Sequence, residues 1–185
     1  MFILDVNTFI YAHRPESPRF AEHRAWLEAA LTGTEPIGVS ELVLSAFLRI
    51  VTNHRVFREP TPPTVALDFC AAVLNAPAAL PVRPGPRHWS IFDRLCREVD
   101  ARGNVVPDAY HAALAIEHGA TWISSDRGFA RFPGLRWALP LTVDVTPAGG
   151  PDRSAQTGAP AEPPSGGADT PNTPNTTDAT HAHAD

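Results

Sequence analysis

The run Phe2-Ile3-Leu4-Asp5-Val6-Asn7-Thr8-Phe9-Ile10-Tyr11-Ala12-His13 decides the fold class. Phe2 to Asp5 reads as a short β run that ends on an acid, and Asn7 to His13 reads as a helix that follows at once. The same alternation recurs along the chain. Pro18 to Leu31 places Phe20, Ala21, Arg24, Trp26 and Leu27 near helical period and stops before Gly33. Pro36 to Val39 is a second β run, and Ser40 is placed to cap a helix with Leu44, Phe47, Leu48 and Val51 on one face. Pro62 and Pro63 open another helix, with Val65, Phe69, Ala72 and Val73 as its stripe. Ala79 to Arg83 is a third strand, and Arg87 to Arg102 a helix stopped by Gly103. Pro107 marks a further helix start, with Ala109, Ala112, Ala113 and Ile116 packing before Gly119. Thr121 to Ser124 is a fourth strand and Leu135 to Leu139 a fifth. Strands separated by helices imply an α/β fold: a parallel sheet of four to five short strands with helices on both faces.

Composition bounds the rest. The chain has 185 residues, enough for one domain and an appendage. A body of about 140 residues buries roughly two thirds of its unfolded surface, so one core needs no staples. Cys70 and Cys96 fall in helical stretches and read as small core side chains, which fits a reducing cytoplasm better than a disulfide scaffold. No leader-like or membrane-spanning run is visible, so no membrane association is expected. Residues 1–144 form the expected domain. Residues 145–185 are mostly Pro, Gly, Ala, Ser, Thr and Asp, and such a stretch is expected to stay disordered. His181 and His183 near its end make at best a weak metal site. The net charge is −5 and every basic side chain is Arg, since there is no Lys. Arg suits phosphate, yet a genome rich in G and C explains the bias as well, so charge alone does not argue for nucleic acid.

Most acids fall where solvent suits them. Four do not: Asp5 ends the first strand, Glu41 opens the helix after the second, Asp108 stands one residue past Pro107, and Asp126 follows the fourth strand. In an open α/β sheet these positions gather along one edge, where ligands bind. Four carboxylates there repel one another unless something positive lies between them. Helix N-termini contribute only about 0.3–1 kcal/mol each. A hard divalent cation with oxygen ligands resolves the crowding, and Mg²⁺, with Mn²⁺ as an alternative, suits few carboxylates plus waters. Such an ion polarises a phosphoryl oxygen and acidifies a water for in-line attack on phosphorus. No Gly-x-Ser-x-Gly elbow or Gly-x-x-x-x-Gly-Lys loop competes.

These stretches carry a family resemblance. Asp5-Val6-Asn7-Thr8-Phe9-Ile10-Tyr11-Ala12 resembles the first motif of PIN domains, and Glu41 within Ser40 to Asn53 the second. Gly103 to Ala113, around Asp108, is similar to the third. Ser124-Ser125-Asp126-Arg127-Gly128-Phe129 is similar to the fourth, and Phe132-Pro133-Gly134-Leu135-Arg136-Trp137 resembles the VapC branch. The resemblance covers about residues 1–140, with the motifs in order. It implies a PIN-like α/β/α sandwich, a metal-dependent endoribonuclease that serves as the toxin of a VapBC toxin–antitoxin pair, dimerisation, and neutralisation by a cognate VapB antitoxin. On this likeness Asp5, Glu41, Asp108 and Asp126 form the catalytic quartet. Asp5 and Asp108 are the direct metal ligands, while Glu41 and Asp126 act through waters or position the attacking one. Asn7 and Thr8 either orient Asp5 and touch phosphate or form a polar cap on the first helix. Arg127 and Arg49 are candidates for phosphate contact, with plain surface roles as the alternative.

Three rivals remain at this level. A haloacid-dehalogenase-type phosphatase also opens on a strand-end Asp, but position 7 here is Asn and the required Lys is missing. An RNA-processing PIN nuclease without a toxin role is compatible with the sequence. A non-catalytic PIN module that binds RNA or protein fits less well, because all four acids are present.

Overall fold

The computed structural model describes residues 1–146; the expectations for the tail, including His181 and His183, lie outside the described residues. Five three-residue strands form one parallel sheet: β1 (Phe2–Leu4), β2 (Ile37–Val39), β3 (Ala79–Pro81), β4 (Thr121–Ile123) and β5 (Arg136–Ala138). Their spatial order is β3-β2-β1-β4-β5. The helices that make parallel pairing possible are α1 (Val6–His13), α2 (Phe20–Thr32), α3 (Glu41–Val51), α4 (Pro63–Leu74), α5 (His88–Glu98) and α6 (Val105–Glu117). Ile3 and Leu4 are successive and therefore face opposite sides of the sheet, yet both are buried. Both faces are thus covered, which gives the expected α/β/α sandwich. The edge strands β3 and β5 are more exposed, and an edge tolerates Pro81.

From β1 the chain winds to β2 and β3 on one side, then returns to β4 and β5 on the other. The winding direction therefore reverses between β1 and β4, which opens a crevice at their carboxyl ends. Packing there is tight. A Cβ on Gly38 of β2 would lie 2.7 Å from Ile3 Cγ1 and 3.0 Å from Val82 Cγ1, so the central strands require a glycine at this point.

Four expectations need correction. The stripe of α4 is rotated by about one residue: Ala66, Cys70 and Val73 are buried, while Val65 and Ala72 are exposed and Phe69 is half-buried. The proline pair starts the helix correctly, but an apolar helix that is hydrophobic on several sides does not announce its inner face. α5 ends at Glu98, because Asp100 adopts the left-handed conformation (φ 49°) before Gly103 does; Asp tolerates that region better than most residues. Pro107 sits at the third position of α6, not at its start, and its missing N–H costs nothing in a first turn. Ser40 precedes α3 but makes no side-chain capping bond. Cys70 is buried and Cys96 half-buried, both free, as core side chains should be. Among the described residues, no helix is long and apolar enough to cross a membrane.

Candidate active site

β1 ends at Leu4, and Asp5 turns the chain into α1. Its Oδ1 accepts the Val6 amide at 2.7 Å, so Asp5 itself caps the helix. That removes the capping role considered for Asn7 and Thr8. Asn7 instead donates from Nδ2 to Asp5 Oδ2 at 2.7 Å and to Ser124 Oγ at 2.9 Å, and its Oδ1 accepts the Ser125 amide at 3.1 Å. Thr8 is fully buried, and its hydroxyl donates to the Ile123 carbonyl at 3.3 Å, tying α1 to β4. The orienting role thus falls to Asn7, while Thr8 has no face open to a phosphate.

Ser124, at the end of β4, is the residue that the motif contained and the reading of acids passed over. It is fully buried and donates to Asp5 Oδ2 at 2.6 Å. The Ser124 Oγ in turn accepts the Asp126 amide at 3.0 Å. One hydroxyl therefore ties the ends of β1 and β4 across the crevice. A buried Ser after a strand is common, so its sequence signal is weak; only its place two residues before Asp126 hinted at the role.

Three of the four acids share this crevice. Asp5 is 6% exposed, and burial pushes its carboxyl up to about 6. The Ser124 hydroxyl and the Val6 amide pull it back, and the charges of Asp108 and Asp126 push it further up. Asp108, in the first turn of α6, is raised by burial and by Asp126, and the Arg131 charge opposes both. Asp126 is exposed, caps the 3₁₀ turn Arg127–Arg131, and accepts the Gly128 amide at 2.6 Å. Arg131, unremarked in the sequence, is the cation of this cluster; its Nε donates to the Gly128 carbonyl at 2.8 Å.

Glu41 stands where expected, at the start of α3, but its exposed carboxylate pairs with Arg83 at 2.5 Å. A surface pair of that kind contributes about 0–1 kcal/mol and yields easily to a stronger partner. Arg127 is exposed on the same turn as Arg131. Arg49 lies two helical turns along α3 from Glu41, about 12 Å away, beyond reach of the acids as placed.

The donor set fits a hard divalent cation. Every candidate ligand is an oxygen, the central carboxylate is costly to ionise where it lies, and the Arg131 charge acts on Asp108. Among the described residues, no group of three or more His, Cys, Asp or Glu is already drawn to ligand spacing. Closing on an ion therefore asks for movement from the more exposed members, Asp126, Asp108 and Glu41, around the fixed Asp5.

Known proteins resemble this chain along most of its length. The PIN domain family model matches residues 2–135. Ribonuclease VapC43 of Mycobacterium tuberculosis is 50% identical over 141 residues, covering 76% of this chain and 96% of that protein. Ribonuclease VapC31 of the same organism is 42% identical over 140 residues, covering 76% of this chain and 99% of its own. Among solved structures, VapBC2 from Rickettsia felis, bound to a DNA fragment from its promoter, superposes with a TM-score of 0.57 at 19% identity, covering 75% of this chain and 97% of that one. At that identity the match speaks for the fold alone. The family model and the near end-to-end match to these relatives show that the chain belongs to the PIN-domain family, in its VapC branch.

Proposed function

We propose that this chain is a metal-dependent endoribonuclease, the toxin of a VapBC-type toxin–antitoxin pair. The observation that carries the reading is the meeting of Asp5, Asp108 and Asp126 at the crevice between β1 and β4, where each acid feels the next. The relatives named ribonucleases support the same chemistry. Asp5 and Asp108 would hold the ion, Mg²⁺ or Mn²⁺, with Glu41 and Asp126 completing its surroundings. When bound, the ion supplies positive charge that polarises a phosphoryl oxygen and acidifies water for attack on phosphorus. Asn7 and Ser124 hold Asp5 Oδ2 from two directions, which fixes the carboxylate without using all its lone pairs. Asp126 and Glu41, the exposed acids of the four, would accept a proton from the attacking water.

Two apolar surfaces support the expected partners. Leu42, Val106 and Trp89 are exposed around a hollow of about 270 Å³ lined by Leu42, Phe92, Val106, Pro107 and Tyr110, beside Glu41 and Asp108. We assign this face to a homodimer. Leu67 and Leu74, seven residues apart on one exposed side of α4, offer a helical antitoxin segment apolar anchors. A cytoplasmic setting follows from an RNA substrate.

Purified protein should cleave RNA with Mg²⁺ or Mn²⁺ and not in excess chelator. Asp5→Asn or Asp108→Asn should abolish cleavage and the growth arrest caused by induced expression, with the circular dichroism spectrum unchanged. Equal cleavage in chelator would refute the metal-dependent reading.

A further inference from the structure

We propose that Arg131 is the substrate-phosphate contact of this site, presenting the free fork of its guanidinium to an RNA phosphate beside the acid cluster. Among the arginines near the crevice, it is the one both anchored and unspent. The bond from Nε to the Gly128 carbonyl at 2.8 Å fixes the plane of the group. Arg131 forms no ion pair among the described residues, so its terminal nitrogens remain available, whereas Arg83 is engaged by Glu41. Arg127 is exposed and makes no side-chain hydrogen bond among the described residues, so nothing fixes where its charge points.

Gly128 shows how closely the cation and the acids approach. A Cβ built there would lie 2.9 Å from Asp126 Oδ1 and 3.1 Å from Arg131 Nη2. The two charges thus flank one open point on the 3₁₀ turn, with Asp108 within reach of the Arg131 charge. An RNA phosphate is the substrate group that must come to the acids, and it is repelled by them. The end of the planar group, with one N–H from each terminal nitrogen, satisfies two of its oxygens at once. The contact rests on the nuclease reading, and its test must separate the two.

The probe is a fluorescein-labelled oligouridylate, with binding followed by anisotropy in excess chelator and cleavage followed separately in Mg²⁺. Arg131→Ala should weaken binding about tenfold and reduce the steepness of log K against log salt by about 0.7, the share of one phosphate contact on a single strand. Arg131→Lys should keep the salt slope but recover only part of the affinity, because an ammonium lacks the fork. Arg24→Ala, on the exposed face of α2, should change neither. Thermal melting of each variant confirms folding. If Arg131→Ala binds RNA with the affinity and slope of the wild type, or if Arg127→Ala carries the loss instead, the assignment is overturned. If the wild type neither binds nor cuts RNA, the nuclease reading itself fails and the contact falls with it.

Discussion

Asp5 is pulled in two directions by its position. Anchored by Val6, Asn7 and Ser124, it is nearly sealed from water, and its carboxyl sits at about 6, against about 3.9 in an unfolded chain. The folded protein therefore holds an extra proton between about pH 4 and pH 6. Asp5 lowers stability progressively as pH rises through that window, and the full cost, at most about 3 kcal/mol, is present above it. A proton and a metal ion compete for the same oxygens. The apparent affinity for Mg²⁺ should accordingly weaken about tenfold per pH unit below 6 and level off above about 7. Titration calorimetry across that range checks it, and an affinity flat from about pH 5 to pH 8 would remove Asp5 from the ion's surroundings. Ser124→Ala tests the brace. It removes the donor that lowers the Asp5 carboxyl and leaves the Asn7 and Asp126 donors short of an acceptor. The midpoint of the Mg²⁺ affinity profile should move to higher pH, and stability should fall by roughly 1–3 kcal/mol in urea titration.

At the scale of elements, strand and helix order was legible because the two periodicities differ and because Pro and Gly punctuate their boundaries. The acids were legible for a related reason. A strand-end Asp followed at once by a helix, as at Asp5, has few places to lie in an open sheet except the ligand-binding edge. What one helix turns toward another was not legible. α4 carries apolar residues around much of its circumference, so its inner face is chosen by contact with α3 and β3, not by its own pattern. The corrected phase predicts a contrast: Val73→Ala should cost roughly 2 kcal/mol and Val65→Ala within about 0.5 kcal/mol, read by urea denaturation. Arg131 and Ser124 escaped notice because neither is an acid and both gain meaning only through long-range neighbours. Gly38 escaped for the same cause. Its lack of a side chain is required by Ile3 and Val82, from two other segments. Gly38→Ala should destabilise the protein by about 1–3 kcal/mol through overpacking, with a loss of the same order in the slope-corrected urea midpoint.

For the whole molecule, the last described residues still belong to the body. Val143 and Val145 pack against the core, and the Trp26 indole donates to the Val143 carbonyl at 2.9 Å. We propose that the chain through Thr146 is a sufficient nuclease domain, a piece that matches the length aligned with VapC43 and VapC31. The homodimer proposed for this body depends on what its surface offers. Its first 144 residues carry 14 Arg and 15 acids, so bulk charge neither drives two copies apart nor draws RNA in. Association then depends on apolar area, and the exposed set around the hollow is one such patch: Trp89 at 70%, Leu42 at 50% and Val106 at 36% exposure. Large apolar side chains grouped at a surface mark an interaction site, and aromatic anchors commonly dominate such contacts. Trp89→Glu would place a charge beside Phe92, which lines the hollow, on a side chain that is 70% exposed. Sedimentation velocity should show the wild type as a dimer and Trp89→Glu as a monomer with an unchanged melting profile in the monomer's own range. Because Leu42 and Pro107 adjoin Glu41 and Asp108, the specific cleavage activity of the wild type should fall on dilution, and that of Trp89→Glu should be low at every concentration. A wild type that sediments as a monomer at every concentration would move the dimer contact off this face and leave the apolar hollow to another partner.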